Sequence, residues 1–558
     1  MITRRDFLAL SAQAGLLIGA SPITSAFLSS TGAGKSGTVR CLNVVNFIRG
    51  VEPREPMDLL LPVQRQMDLS LKFGLPTTWL LQYDALIAGP FVQELKNRMT
   101  PDHEVGFWFE MNEMLCRHAL VEWRGRPGYE WDYNPSVAFS IGYTKEERIK
   151  LIDAAMYSFH SIFGHYPKSV ASWNLDAVSM TYFSDQYGID AFAVCRDQIA
   201  TDGFTIWGAP IAGYYPSKVN CWSPGTDREH QIDTPVFRML GQDPVYYYYR
   251  EFPAPGGRRI HPPDTMEPVW GAGRDPKFVE AFYRMITHGS SLGFAYAQIG
   301  QENSFGWPSM EPGLPQQLEA LAAIRDRGLA HVETLGDTGR RFKKAFKVTP
   351  VQSQIMLEDP FGNTEPTEST VWYQSRFYRA NLHIRGGLPF LRDVTVYSDQ
   401  NEQPFLRTPT RLSDVEQRMP AVMDGYHWST RPGVLGDPGA GAYLVVNDQV
   451  VRLTAKPWVE ESDQSLMVHL PTEFGTAKIH FTESDLFVEF HPKSGEDWSL
   501  SFEWDVSKAQ LPVVTDSQVR YLQQPVYSVG VKVGQAKLTQ NGWRVRSQGG
   551  KIRLTLAQ

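Results

Sequence analysis

With 558 residues and 42% hydrophobic content, the chain can bury a large core and is expected to form two or three domains, which excludes a small stapled scaffold. The 54 Lys and Arg against 61 Asp and Glu leave a net charge of -7, which supplies no bulk attraction to nucleic acid or anionic lipid. The 15 Trp and 23 Tyr suit a glycan or small-molecule partner, because aromatic faces stack on apolar sugar faces, although cores use the same residues.

Thr3-Arg4-Arg5-Asp6-Phe7-Leu8 precedes an apolar stretch from Ala9 through Ala20 and the small-residue pattern Thr24-Ser25-Ala26. This predicts an export signal with a flexible lead over residues 1–38. The Arg4-Arg5 pair followed by Phe7-Leu8 resembles a twin-arginine signal, with a general secretory signal or an uncleaved anchor as the alternative. No later run of eighteen apolar residues occurs, so the expectation is a periplasmic or secreted protein without stable membrane insertion. Cys41, Cys116, Cys195 and Cys221 are widely spaced with no C-x-x-C pair; up to two disulfides or buried free thiols both fit.

From residue 39 short apolar strands alternate with longer helices. Val39 to Asn46 reads as the opening strand, followed by a helix beginning at Val63, a strand over Thr77 to Gln82, a helix including Phe91 to Leu95, and a strand over Glu104 to Phe107. A strong amphipathic helix over Lys145 to Ile162 leads into a strand over Ser169 to Trp173. Later strands are predicted over Ala191 to Val194, Pro235 to Leu240 and Leu292 to Gln298. The expected fold class is α/β, a distorted seven-stranded (β/α) barrel over residues 39–345. Residues 346–440 are expected to connect and support it. From 441 to 558 alternating strands such as Ser465 to Leu470, Ala477 to Phe481, Asp485 to Phe490 and Trp498 to Trp504 predict a C-terminal antiparallel β-sandwich.

The segment His103-Glu104-Val105-Gly106-Phe107-Trp108-Phe109-Glu110-Met111-Asn112-Glu113 places ionisable groups among aromatics. Burial there would raise a carboxylic acid toward neutrality while a better hydrated partner stayed ionised. Glu110 and Glu113 are three apart and would share a face if the segment turned helical; strand-end packing with charges in solvent is the plainer expectation.

The segment order resembles the carbohydrate-active superfamily of polysaccharide deacetylases and seven-stranded barrel glycoside hydrolases. The resemblance rests on Leu71-Lys72-Phe73-Gly74-Leu75-Pro76-Thr77-Thr78-Trp79-Leu80, Asp102-His103-Glu104-Val105-Gly106, Tyr143 to Arg148 with Gly164-His165-Tyr166-Pro167, and Asp185-Gln186-Tyr187-Gly188-Ile189-Asp190-Ala191, over residues 39–340. It implies a barrel that acts on an oligosaccharide or polysaccharide. Metal-dependent deacetylases of the superfamily carry an early paired-Asp signature and a later His-rich motif. Here Asn43-Val44-Val45-Asn46 and a single histidine, His103, stand instead. The expectation is therefore a glycoside hydrolase that needs no cofactor or metal, one carboxyl protonating the leaving oxygen while a second attacks the sugar or activates water. The alternatives are a metal-dependent deacetylase with an atypical centre at His103, Glu104 and distant acids, or an inactive glycan-binding protein.

Three acids are the catalytic candidates. Glu302, in Gly300-Gln301-Glu302-Asn303-Ser304-Phe305-Gly306-Trp307, follows a predicted strand, so it would reach a barrel's C-terminal rim with Asn303 and Trp307 to orient a sugar; a helix-start carboxylate is the bland account. Asp176 follows Trp173 and Asn174 and would act beside them, or cap the next helix. Glu110 is the complementary acid. His103, Trp173, Asn174, Asp197, Trp222, Asn303 and Trp307 are the substrate-binding candidates, with the Tyr246-Tyr247-Tyr248-Tyr249 run beside them. Structural accounts compete for these: a buried hydrogen bond for His103, a salt bridge for Asp197, ring packing for Trp222 and the tyrosines.

Overall fold

The computed structural model describes residues 37–194, 212–239, 265–289, 291–357, 368–412, 415–417, 419–431, 439–493 and 495–558, with the backbone of four short strands between 198 and 260. The export segment, Cys195, Asp197 and the tyrosine run at 246–249 lie outside the described residues.

The first half alternates strands and helices: β1 (Val39–Ile48), α1 (Leu60–Phe73), β2 (Thr77–Leu81), α2 (Gly89–Arg98), β3 (Glu104–Trp108), α3 (Lys145–Phe163), β4 (Ser169–Ala171), α4 (Ala177–Tyr187) and β5 (Ala191–Val194). There follow β6 (Gly213–Tyr214), β7 (Val236–Arg238), α5 (Pro276–His288), β8 (Phe294–Ile299), α6 (Leu314–Asp326), β9 (His331–Val332) and α7 (Leu335–Ala345). The local signals are ordinary ones. Thr144 and Glu147 form a capping box at the start of α3, and Leu151, Ile152, Ala155, Met156 and Phe159 make its buried stripe.

The strands lie side by side in the order β8-β1-β2-β3-β4-β5-β7-β6. The first seven of these are mutually parallel, β6 runs antiparallel to β7, and the two-residue β9 pairs with Cys41 and Leu42 of β1. The sheet thus has nine strands rather than the expected seven. The two additions are two-residue pairings, too short to leave a periodic pattern in the sequence. The sheet curls until β8 approaches β7, where rings seal the seam: Phe237 lies 5.7 Å from Phe294 and 5.0 Å from Tyr296.

Parallel strands are buried on both faces, so their side chains divide between an inner and an outer core. Cys41, Val45, Phe47, Leu80, Trp108, Ala171, Ala193, Phe237 and Tyr296 fill the interior. Leu42 and Val44 point outward to α5 and α6, and Ile48, Phe107 and Phe192 point outward to α3 and α4. Leu335 and Phe342 of α7 join the interior cluster, and the Gly336 amide donates to Glu104 at the N-terminal start of β3 at 3.1 Å. α7 therefore plugs the N-terminal end and leaves the C-terminal end of the strands as the mouth.

The second half is two antiparallel sheets sharing one core. A ten-stranded sheet runs through Gln352–Met356, Glu368–Gln374, Tyr378–Arg385, Leu388–Val396, Gly441–Val446, Trp498–Glu503, Gly542–Arg546 and Gln535–Thr539, with Ala421–Asp424 and Gln449–Val450 at its side. An eight-stranded sheet runs through Trp458–Glu461, Leu466–Thr472, Gly475–Phe481, Asp485–Glu489, Lys551–Thr555, Tyr527–Val533, Gln518–Tyr521 and Val513–Thr515. Leu382, Leu444 and Trp543 of the first pack with Val468, Leu486 and Ile552 of the second. The ladder begins at Gln352, so strands within 346–440 belong to the sandwich sheet instead of only connecting to it. They were unreadable because buried polar residues such as Arg379, Asn381, His383 and Asp393 interrupt the apolar alternation. Gln352 also donates to Gly213 O at 2.6 Å, tying sandwich to barrel. Cys41, Cys116 and Cys221 are buried free thiols. No helix among the described residues is long and apolar enough to cross a membrane.

Candidate active site

Period-2 alternation carries the interior face of each strand to the mouth. On β1 it runs through Cys41, Asn43, Val45 and Phe47 to Arg49. β2 ends at Gln82, whose amide extends the ladder to Ile48 O at 3.0 Å. On β3 it passes Trp108 to Glu110, and on β4 Ala171 to Trp173. Phe47 stacks on Trp108 at 3.9 Å, and the Trp173 ring stands edge-on to Trp108 at 5.3 Å, making an aromatic floor.

Arg49 is the hub. Its Nη1 lies 3.0 Å from Glu110 Oε2 and its Nη2 3.6 Å from Glu302 Oε2, all three side chains being buried. Nη1 also donates to Gln82 Oε1 at 3.3 Å, and the guanidinium lies over the Trp131 ring at 3.9 Å. The indoles of Trp108 and Trp131 both donate to Glu110 Oε2, at 3.0 and 3.2 Å. Burial pushes the Glu110 carboxyl up to about 7 against the opposing charge of Arg49. Glu302 takes a hydrogen bond from Ser304 Oγ at 2.5 Å.

The turn that brings Glu302 here depends on Gly300. Its φ is +131°, and a Cβ there would meet Val45 O at 2.0 Å, so only glycine lets the chain leave β8 this close to β1. Asn303 then fixes the turn. Its Oδ1 accepts from the Arg49 amide and its Nδ2 donates to the Arg49 carbonyl, both at 2.9 Å, and Nδ2 also reaches Leu59 O.

A third acid, Glu267, joins from the loop before α5. Gln301 Nε2 donates to it at 3.3 Å, Trp270 Nε1 at 3.1 Å and Thr265 Oγ1 at 3.2 Å. Burial, with the negative charge of Glu302 adding, holds its carboxyl up at about 7 despite those donors.

The structure brings together Glu110, Glu302 and Trp173, with Asn303 bonded to the Arg49 backbone beside them, and places Asp176, His103, Trp222 and Trp307 elsewhere. Asp176 caps α4, accepting from the Ser179 amide at 3.0 Å and hydroxyl at 2.6 Å, and pairs with buried Arg148 at 2.9 Å. Its carboxylate is committed to structure. His103 precedes β3 at the N-terminal end of the barrel, in a cavity of about 360 Å³ with Lys96, His165, Lys168 and Arg340. Five strand residues separate it from the end that carries Glu110. Trp222 is buried in the outer core with Phe107 and Leu175, and Trp307 packs half-buried on the outer cluster with Phe305 and Leu318; neither joins the interior floor. Asn303 spends its amide on the backbone. Asn174 sits buried at the bend after β4 with no partner for its amide among the described residues. Glu113 starts the helix Glu113–His118 and is exposed, separated from Glu110 by the Asn112 cap. Arg49, Gln82 and Glu267 were missed. The first two would follow from extending the interior alternation of β1 and β2 by one more position; Glu267 carries no such signal.

The residues also test the metal site that deacetylases of this fold carry. Asn43 Nδ2 donates to Glu333 O and Thr338 Oγ1, both at 2.8 Å, and Asn46 Oδ1 accepts from Gln66 and the Gln301 amide, both at 3.1 Å. Both amides are absorbed in packing. Among the described residues no three His, Cys, Asp or Glu side chains converge with metal-ligand geometry. The residues do not fit such a centre.

No family model and no curated protein matches the sequence. Solved structures do. A provisionally assigned glycoside hydrolase/deacetylase from Parabacteroides distasonis superposes with a TM-score of 0.51 at 14% identity, over 71% of this chain and 92% of that one. A polysaccharide deacetylase-type protein from Mycobacterium smegmatis matches at 0.34 and 12% over 57% of this chain and 96% of its own. One from Pseudomonas aeruginosa matches at 0.34 and 11% over 55% and 92%. With strand order and mouth in view, the chain has the fold of the Parabacteroides distasonis glycoside hydrolase/deacetylase-type protein.

Proposed function

We propose that this chain is an exported glycoside hydrolase that cleaves an oligosaccharide or polysaccharide at the barrel mouth, with Glu110 as acid and Glu302 as nucleophile or base. The observation that carries the reading is Arg49 bridging these two buried carboxyls beside Trp173. One guanidinium touching both holds them within roughly 9 Å, a span that admits direct attack on the sugar or an intervening water. Glu110, raised toward neutrality by burial, carries the proton for the leaving oxygen. Once it has given that proton up, Arg49 stands 3.0 Å from the new carboxylate and stabilises it. Trp173 offers a stacking face for the sugar. The N-terminal Arg4-Arg5 segment supports export by the twin-arginine route to the periplasm or beyond. The reaction uses no cofactor in this scheme.

The test is the purified mature protein on a broad glycan panel. Saccharides should be released, and Glu302→Gln and Glu110→Gln should each lower the rate by roughly a thousandfold while the fold persists. Full activity in either variant removes that residue. Chelator-sensitive acetate release with stoichiometric metal would replace the reading with deacetylation, and saturable glycan binding without cleavage would replace it with a binding role.

A further inference from the structure

Among the buried groups at the mouth without a partner among the described residues are two side-chain amides that touch the Arg49–acid cluster. Gln82 continues β2 on the same face as Leu80, so its side chain enters the interior beside Arg49. Its Oε1 is used by Arg49, whereas its Nε2 has no partner among the described residues, although the residue is fully buried. Gln301 is the second. Its Nε2 donates to Glu267, and its Oε1 has no partner among the described residues. An amide buried without a partner is costly, so a fold keeps one where something that enters the site completes it.

The charges decide what can enter. Both of these amides are neutral; Arg49 Nε also lacks a hydrogen-bond partner among the described residues, but it belongs to the guanidinium that already faces Glu110 and Glu302. The two guanidinium groups described at the mouth are committed, Arg49 to Glu110 and Glu302 and Arg54 to Glu52. Glu302 and Glu267 influence one another electrostatically. A ligand carboxylate, sulfate or phosphate would lie among three carboxyls, Glu110, Glu267 and Glu302, set against the single Arg49 guanidinium, and like charges at contact distance repel strongly in a partly buried site. A hydroxyl meets no such barrier and supplies both the acceptor that Gln82 Nε2 lacks and the donor that Gln301 Oε1 lacks.

We propose that the reacting subsite takes an uncharged sugar and that Gln82, through Nε2, is the residue that positions it by donating to one of its hydroxyls. This rests on the glycosidase reading for where the sugar reacts, but its content is a binding preference that can be measured without turnover.

The experiment is calorimetric titration of the full mature protein with neutral oligosaccharides of glucose, galactose, mannose and N-acetylglucosamine, and with oligogalacturonate and oligoglucuronate. Wild type and Gln82→Met are compared, with thermal unfolding of both as the check on folding. Binding should be confined to neutral members, and Gln82→Met should weaken it roughly tenfold. In a monodeoxy series of the best ligand, one deoxy sugar should bind wild type and variant equally, because the bond it lacks is the bond the variant lacks. A general packing defect would lower every member alike. Equal or tighter binding of the uronic oligosaccharides, no neutral-sugar binding at all, or a variant that binds every neutral ligand as wild type does would overturn the inference. Neutral-sugar binding that depends on Gln82 without any glycosidic cleavage would sink the hydrolase reading and leave this one standing; Glu302-dependent cleavage of uronides alone would do the reverse.

Discussion

Asn303 clasps the peptide unit of Arg49 from both directions, its Oδ1 on the amide and its Nδ2 on the carbonyl, each at 2.9 Å. The end of the first strand and the turn after the last barrel strand are thereby held as one piece, and with them the cation and the acid that meet at the mouth. Asn303→Ala leaves a buried amide and two buried carbonyls unpaired. It should destabilise the protein by about 2–4 kcal/mol in denaturant unfolding and depress the turnover of the remaining folded protein as well. Asn303→Asp should be worse, since an oxygen would then face the Arg49 and Leu59 carbonyls. An alanine variant with wild-type stability would contradict the clasp.

Glycan turnover should depend on pH through Glu110. The acid must hold its proton, so kcat/KM should be high below about 7 and fall as pH rises through that value, the point to which burial lifts the group. In Glu110→Gln the alkaline limb should vanish along with most of the rate. A wild-type profile flat from pH 5 to 9 would remove Glu110 as the proton donor.

Stability should follow the same acids with a definite sign. Glu110 and Glu267 are raised from the usual 4.5 to about 7 in the folded state, so the folded protein binds protons that the unfolded chain releases between those values. Their contribution is full below about 4.5 and is lost as pH rises through about 7, on the order of 3 kcal/mol for each. Glu267→Gln should lose less stability than wild type between pH 5 and pH 8. Parallel curves would show that Glu267 titrates normally.

Asp176 and His103 should separate from the chemistry. Asp176→Ala strips the cap of α4 and strands Arg148 without its carboxylate, at a cost of about 3–5 kcal/mol. Activity per folded molecule should stay within roughly twofold of wild type, and His103→Ala, at the plugged end, should leave it untouched. Loss of kcat in either well-folded variant would reopen that residue as part of the site.

Much of the barrel was legible because parallel strands announce themselves as short apolar runs between capped amphipathic helices. The predicted strand starts at Val39, Thr77, Glu104, Ser169 and Ala191 match the ladders. Glu110, Glu302 and Trp173, chosen by the rule that chemistry sits just beyond strand ends, do converge at the mouth. The same rule also chose Asp176, which the structure places as the cap of α4 paired with Arg148, because an acid after a strand is also the residue that starts the next helix, and spacing alone does not tell a cap from a rim acid. Trp222 and Trp307 lie in the outer clusters and away from the floor, because an indole reads alike whether it faces the inner or the outer core. Arg49 was hidden by the opposite problem: its strand mixes apolar and polar residues on both faces, with Asn43 inward and Arg40 and Asn46 outward, so polarity does not mark which alternate positions point inward.

The barrel closes along β1 by hydrogen bonds, whereas β8 and β7 meet at the seam through Phe237, Phe294 and Tyr296 with no ladder between them among the described residues. Ring contacts tolerate sliding that a ladder of backbone bonds resists. Glu302, Arg49, Gln82 and Glu110 follow four strands that are consecutive in the sheet, all joined by ladders, so they form a stiff arc, and the seam is where the wall yields. Insertions or sequence drift in the loops bordering the seam would widen or reshape the entrance while leaving Glu110, Arg49 and Glu302 in register, which makes that edge the place where a lineage, or an engineer, can change what enters without moving the acids.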